Sequence, residues 1–256
     1  MNTSSKLLLA CLIALSLLVS ATCIAQSSDW QLDKMPPDLE TDFALSALPA
    51  HLREQATVYL LDPKKGYYLN RKGTNGFVAF VCRTEWEWAQ FDNEIFDAIS
   101  FDAEGARTLA PILMDVAQLR ATGKYSAQQL QDLIVTRIKD GTYKAPTRAG
   151  VSYMLAPMMR THPGTKEIAS IIMPHYMFYA PNVTNADIGG TFDSYHPFIL
   201  DGVKALNDGH AIFNYIIMPA GEAETKKIVE ENKDLLQRLE SFRASLRVEA
   251  NAGHHH

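Results

Sequence analysis

The chain has 256 residues with a formal net charge of −5, and a mildly acidic protein repels phosphate backbones, which excludes nucleic acid as a natural partner. Its apolar fraction of 47% suits a buried core, and a chain of this length hides about 70% of its unfolded surface, enough for one self-sufficient domain.

Lys6 precedes an uncharged run over residues 7–19, and Cys23-Ile24-Ala25 approximates the small-x-small pattern cut by signal peptidase. Residues 1–25 therefore read as a signal peptide, too short for a membrane span, and the mature chain starts at Gln26. The expected location is secreted or periplasmic, with no transmembrane anchor. A lipoprotein is disfavoured because Ser20-Ala21-Thr22 ahead of Cys23 fits poorly the aliphatic and small residues that lipidation requires. Cleavage removes Lys6 and two of the three cysteines, leaving a charge of −6 and Cys82 without an intramolecular disulfide partner.

Residues 26–40, containing Pro36-Pro37, read as an extended leader, and a short amphipathic helix over 38–48 stops near Pro49. Strand-like runs at 57–61, 67–70 and 77–82 are separated by Asp62-Pro63-Lys64-Lys65-Gly66 and Gly73-Thr74-Asn75-Gly76, which predicts an antiparallel meander. The third run is apolar on both alternating faces and reads as a central strand covered on both sides. From Ala106, Leu109, Ile112, Leu113, Val116 and Leu119 recur at helical spacing, with Pro111 in the first turn. Ser126 with Gln129 forms a capping box for a second helix that ends at Asp140-Gly141. Strands follow at 151–155, 175–179 and 211–218. A last helix over 222–246 carries Ile228, Leu235, Leu239, Phe242 and Leu246 as one stripe against its own sheet. This order predicts an α+β fold, a mainly antiparallel sheet with flanking helices, as a single domain over 41–250. Residues 251–256, ending in His254, His255 and His256, are a tail outside it.

Gly73-Thr74-Asn75-Gly76-Phe77, Phe101-Asp102-Ala103-Glu104-Gly105-Ala106-Arg107 and Ala180-Pro181-Asn182-Val183-Thr184 resemble segments of an uncharacterised family of secreted bacterial proteins. The resemblance covers most of the mature chain. It implies export and a shared fold, and brings no activity or catalytic residue with it.

Four segments bear chemistry. Seven carboxylates, Glu85, Glu87, Asp92, Glu94, Asp97, Asp102 and Glu104, alternate with Trp86, Trp88, Phe91 and Phe96; acids beside aromatic faces suit a sugar, a cation or an acid–base pair. The plainer interpretation is a solvated connection whose aromatics cover the core, with Glu104 and Arg107 as a helical ion pair. The spacing does not match an EF-hand calcium loop. In Met173-Pro174-His175-Tyr176-Met177, a strand places Met173, His175 and Met177 on one face, and thioethers with imidazole suit copper as Cu(I), or haem, with Met154, Met158 and Met159 as further donors. A packed methionine cluster is the default there. Asp193-Ser194-Tyr195-His196 collects hydrolase residue types but has no nucleophile elbow, Ser152 lacks one too, and Cys82 on an apolar strand is expected to be buried with a raised thiol pKa. Asn182-Val183-Thr184 matches a glycosylation acceptor, although Thr184 and Asp187 more simply start a helix. The leading expectation is an exported module that binds a small molecule or an envelope component. Its rival is an exported hydrolase using the acidic segment or Ser194 and His196.

Overall fold

The computed structural model describes residues 31–191, 196–200 and 213–248, so the stretch read as a signal peptide, the tail, Ser194 and residues 211–212 lie outside the described residues. Helix α1 (Pro37–Ser46) starts inside the stretch read as a leader. Pro37 occupies the first turn, where a missing N–H costs nothing, and Met35 just ahead is buried with Leu39 and Phe43. After Pro49 a single extra turn, α2 (Ala50–Arg53), leads to the sheet.

Strands β1 (Thr57–Asp62) and β2 (Gly66–Arg71) form the expected hairpin, closed by Gly66 at φ +91°. The antiparallel meander ends there: β3 (Val78–Cys82) pairs with β1 in parallel, on the side away from β2. Burial explains the correction. Tyr68, Leu69 and Asn70 are exposed, so β2 suits an edge, whereas β3 needs cover on both faces. Strand β4 (Asp97–Phe101) follows antiparallel to β3, and all five of its residues are buried. This overturns the reading of the acidic stretch as a solvated connection, at least over its second half.

The helix expected from Ala106 is two, α3 (Ala103–Thr108) and α4 (Ala110–Ala121), with Pro111 in the first turn of α4. Helix α5 (Ala127–Lys139) carries the full Ser126–Gln129 capping box. Strand β5 (Val151–Met154) precedes a small hairpin that periodicity did not announce, β6 (Met159–Thr161) with β7 (Ala169–Ile171). Then come β8 (His175–Tyr179) and α6 (Asn185–Ile188), the latter capped by Thr184 and Asp187 and ended by Gly189. Strand β9 is Tyr215–Pro219. The long terminal helix is broken at Asn232 into α7 (Glu222–Glu231) and α8 (Lys233–Phe242), because Asn232 leaves helical geometry and its side-chain amide donates to the Ile228 carbonyl at 2.7 Å.

The result is a seven-stranded sheet in the order β2-β1-β3-β4-β5-β8-β9, antiparallel except for β1 with β3, in one α+β domain. Alternation along β3 sends Ala79 and Val81 to one face and Phe80 and Cys82 to the other. The first face is covered by α1 and α8 through Phe43, Leu235 and Leu239; the second by α4 and α5 through Ile112, Val116, Leu130 and Ile134. The stripe on α8 thus packs on its own sheet. Among the described residues no helix is long and apolar enough to cross a membrane.

Candidate functional site

The face under α4 and α5 contains a cavity of about 220 Å³, and an adjoining one of about 160 Å³ shares Glu87, Met177 and Tyr215 with it. Most of the wall is apolar, including Ile99, Leu113, Met154 and Phe198. The polar part comes from the loop between β3 and β4. Two buried guanidiniums hold that loop. Arg83 donates to the carbonyls of Ile95 at 2.6 Å, Asn93 at 3.0 Å and Asp33 at 3.1 Å, while its charged face lies 3.6 Å above the Phe96 ring. Arg120, reaching in from α4, donates to the carbonyls of Arg83 at 3.0 Å and Asp92 at 2.8 Å and to the Thr84 hydroxyl at 2.8 Å. Such a pinned loop presents its side chains in one arrangement.

Glu85 is the hub of that arrangement. The Thr161 hydroxyl donates to one carboxylate oxygen, and the His162 backbone N–H donates to the other at 3.2 Å. Nδ1 of His162 meets that same oxygen, its Nε2 lies 3.1 Å from the Gln90 side-chain oxygen, and its ring stacks on Trp88 with centroids 5.2 Å apart. Asp97, the first residue of β4, is buried, and no donor reaches its Oδ1. Burial, reinforced by the neighbouring Glu85, pushes the Asp97 carboxyl well above its ordinary value, which favours its protonated form. Burial pushes Glu87, on the same loop as Glu85, up to about 8. The nearby Tyr215 phenol is raised as well, first by burial and then by Glu87.

Three of the seven acids, Glu85, Glu87 and Asp97, therefore converge on the cavity, and the others serve the fold. Asp102 caps α3 by accepting from Glu104 and Gly105 backbone N–H groups, and Glu94 pairs with Arg160 and Arg243. Glu104 bonds Arg107 at 2.8 Å as the ion pair expected from sequence, with the Glu104 carboxylate buried and the Arg107 side chain exposed. Met173, His175 and Met177 all line the same cavity, joined by Met154 and Met159; Met158 turns to the opposite face. Cys82 lines it too, and burial raises its thiol, which removes it as a nucleophile. Ser152 is fully buried and donates to the Ser100 carbonyl at 2.5 Å, a structural role. His196 is exposed and away from the cavity wall. Thr161, His162 and Tyr215 were not singled out by sequence. The partner of His162 lies 77 positions away, and only the β-branched, aromatic run Ala98-Ile99-Ser100-Phe101 hinted that Asp97 enters the sheet.

These displaced carboxyl groups set a pH profile. Glu87 at about 8 and buried Glu40 at about 7 both lie above the ordinary 4.5, through desolvation. The folded state holds their protons where the unfolded chain has lost them, so their contribution is fully present below about pH 4.5 and declines as pH rises to about 8. Glu104 acts oppositely: the Thr147 backbone N–H and the Arg107 guanidinium hold it down to about 2, and its contribution is lost as pH falls from 4.5 through 2. Burial lowers His175 below its ordinary 6.5, which blunts the first decline without reversing it, since more than one carboxyl opposes a single imidazole. Thermal melts should peak near pH 5 and fall by roughly 5 °C by about pH 8.5, with Glu87→Gln flattening the fall. Melting temperatures that rise over that interval would contradict the assignment.

No protein-family model, curated protein or solved structure matches this chain, so its function is argued from the cavity itself.

Proposed function

We propose that this is an exported protein that binds a small amphiphile, its apolar body against the methionine, leucine and isoleucine wall and a donor-rich, cationic head against Glu85, Glu87 and Asp97. The observation that carries the reading is the convergence of three carboxyl groups, Glu85 and Glu87 from the loop after β3 and Asp97 from the start of β4, on a mostly apolar cavity. Glu87 and Asp97, whose surroundings favour the neutral carboxyl, are poised for a cation, because an ammonium head supplies both the charge that ionises them and the donor that Asp97 Oδ1 lacks. The volume of about 220 Å³ lies below the usual range for drug-sized ligands, which favours a short chain. Export rests on Lys6, the apolar run and the Cys23-Ile24-Ala25 cleavage pattern.

Calorimetric titration of the mature chain with hexylamine, hexanol and hexanoate tests this. Hexylamine should bind tightest and with release of a proton, and Glu87→Gln should weaken it about tenfold while leaving hexanol unchanged. Preference for hexanoate, or no binding of any of the three, would sink the proposal. A second reading, an exported hydrolase, draws on the raised carboxyl of Asp97 beside Glu85, which itself contacts His162, a grouping suited to acid–base work. Turnover of a hexyl ester or glycoside that disappears in Asp97→Asn, with the fold intact, would establish that reading instead.

A further inference from the structure

We propose that the part of the cavity lining built from Met154, His175 and Met177 is a binding site for a single soft cation, Cu(I). The juxtaposition is set by strand pairing. Met154 on β5 stands directly opposite His175 on β8, and such partners have Cβ atoms about 5 Å apart. Met177 follows two residues along β8 on the same face, and all three line the cavity. Met159 and Met173 complete a thioether-rich lining around them.

The histidine is prepared for a ligand. Its Nδ1 lies 2.7 Å from the Met173 carbonyl oxygen, an atom that only accepts, so Nδ1 carries the hydrogen and the lone pair is on Nε2. Metal-binding histidines characteristically fix their tautomer by such a bond to a backbone carbonyl. His175 is 2% exposed, and among the described residues no hydrogen bond to Nε2 is found. Thioethers with a neutral imidazole select Cu(I) over hard divalent ions, which prefer oxygen. Among the described residues no three His, Cys, Asp or Glu side chains form a metal-holding group, so the methionines are what makes this site. A volume of about 220 Å³ also suits an ion better than the haem macrocycle.

The test is anaerobic titration with Cu(I) in competition with a chromogenic chelator, using the full mature chain with His254, His255 and His256 changed to Ala so that the tail contributes nothing. The parent should take up one equivalent. Met154→Leu and Met177→Leu keep volume and apolarity, so they should fold normally yet each weaken binding at least tenfold. His175→Ala should abolish it. Uptake by the leucine variants equal to that of the parent overturns the site, as does a parent that fails to compete with the chelator. Preference for Ca(II) or Zn(II) that is lost in Glu85→Gln also overturns it and places the cation on the acidic wall. Because hexylamine binding depends on Glu87 and copper binding on Met154, failure of either proposal leaves the other readable.

Discussion

Arg83→Met should cost about 3–5 kcal/mol of stability, seen as a lower denaturation midpoint at an unchanged slope. Arg83 is 2% exposed, and burial pulls its guanidinium down to about 9, so the charge is held at some expense. Replacing a whole buried ion pair with apolar residues is often harmless, because both polar partners leave together. Here, besides the Asn93 side-chain oxygen, the partners are the backbone carbonyls of Ile95, Asn93 and Asp33, which no side-chain substitution removes. Methionine fills the space over Phe96 and leaves the buried Ile95 carbonyl without that donor, and the half-buried Asn93 carbonyl as well. Lysine should rescue little, since one ammonium cannot span three acceptors arranged for a planar fork. The same loop carries Glu85 and Glu87, so the ligand affinity of Arg83→Met should fall along with its stability. A change below about 1 kcal/mol would mean that water satisfies the carbonyls and that the loop is not pinned as described.

Gly73→Ala should be comparably severe, at about 4 kcal/mol, although Gly73 lies in a surface connection between β2 and β3. An added Cβ would stand 2.1 Å from the Gln55 carbonyl oxygen, 2.3 Å from the Ala56 carbonyl carbon and 2.5 Å from the Thr57 nitrogen. All three are backbone atoms, so no rotamer change relieves the clash. The approach is close because this connection is bonded to the chain entering β1. Gly73 N–H donates to the Thr57 hydroxyl at 3.0 Å, and Thr74 N–H donates to the Gln55 carbonyl at 2.8 Å. Gly189→Ala provides the contrast, since its Cβ would meet nothing within 4 Å and only its φ of +64° is unfavourable. Urea denaturation of both variants should rank Gly73→Ala well below Gly189→Ala, and equal midpoints would refute the close approach.

What could be read from the sequence follows from the range of the forces involved. The capping box at Ser126, the cap at Thr184 and the one-sided face of Met173, His175 and Met177 are local, and each is found where the chain places it. The two-sided burial of β3 was legible because six consecutive apolar residues from Phe77 leave no polar face. The parallel pairing of β1 with β3 was not, since turn residues predict reversals and say nothing of which neighbour a strand chooses. Strand β4 was hidden by its own chemistry: Asp97 at its start and Asp102 just beyond its end look solvated, yet the first carries a buried proton and the second caps a helix. The acidic wall required Glu85 to meet Thr161 and His162, a contact between distant segments that no single stretch encodes.

The seam between β4 and β5 has a kinetic meaning. Strands β1 to β4 come from one continuous stretch and β5 to β9 from another, and within each stretch the pairings bring together residues relatively near in sequence. Joining the two halves closes a loop over residues 102–150, and Ser100 with Tyr153, Phe101 with Ser152 and the bridge of Phe96 with Arg160 hold the junction. Closing a loop of that length costs chain entropy before its contacts form, so this seam should be among the later pairings to form. Hydrogen bonds from the Ser100 hydroxyl to the Tyr153 carbonyl, and from the Ser152 hydroxyl to the Ser100 carbonyl, strengthen the junction. The acids of the first half and the methionines of the second line one cavity only once that seam has formed.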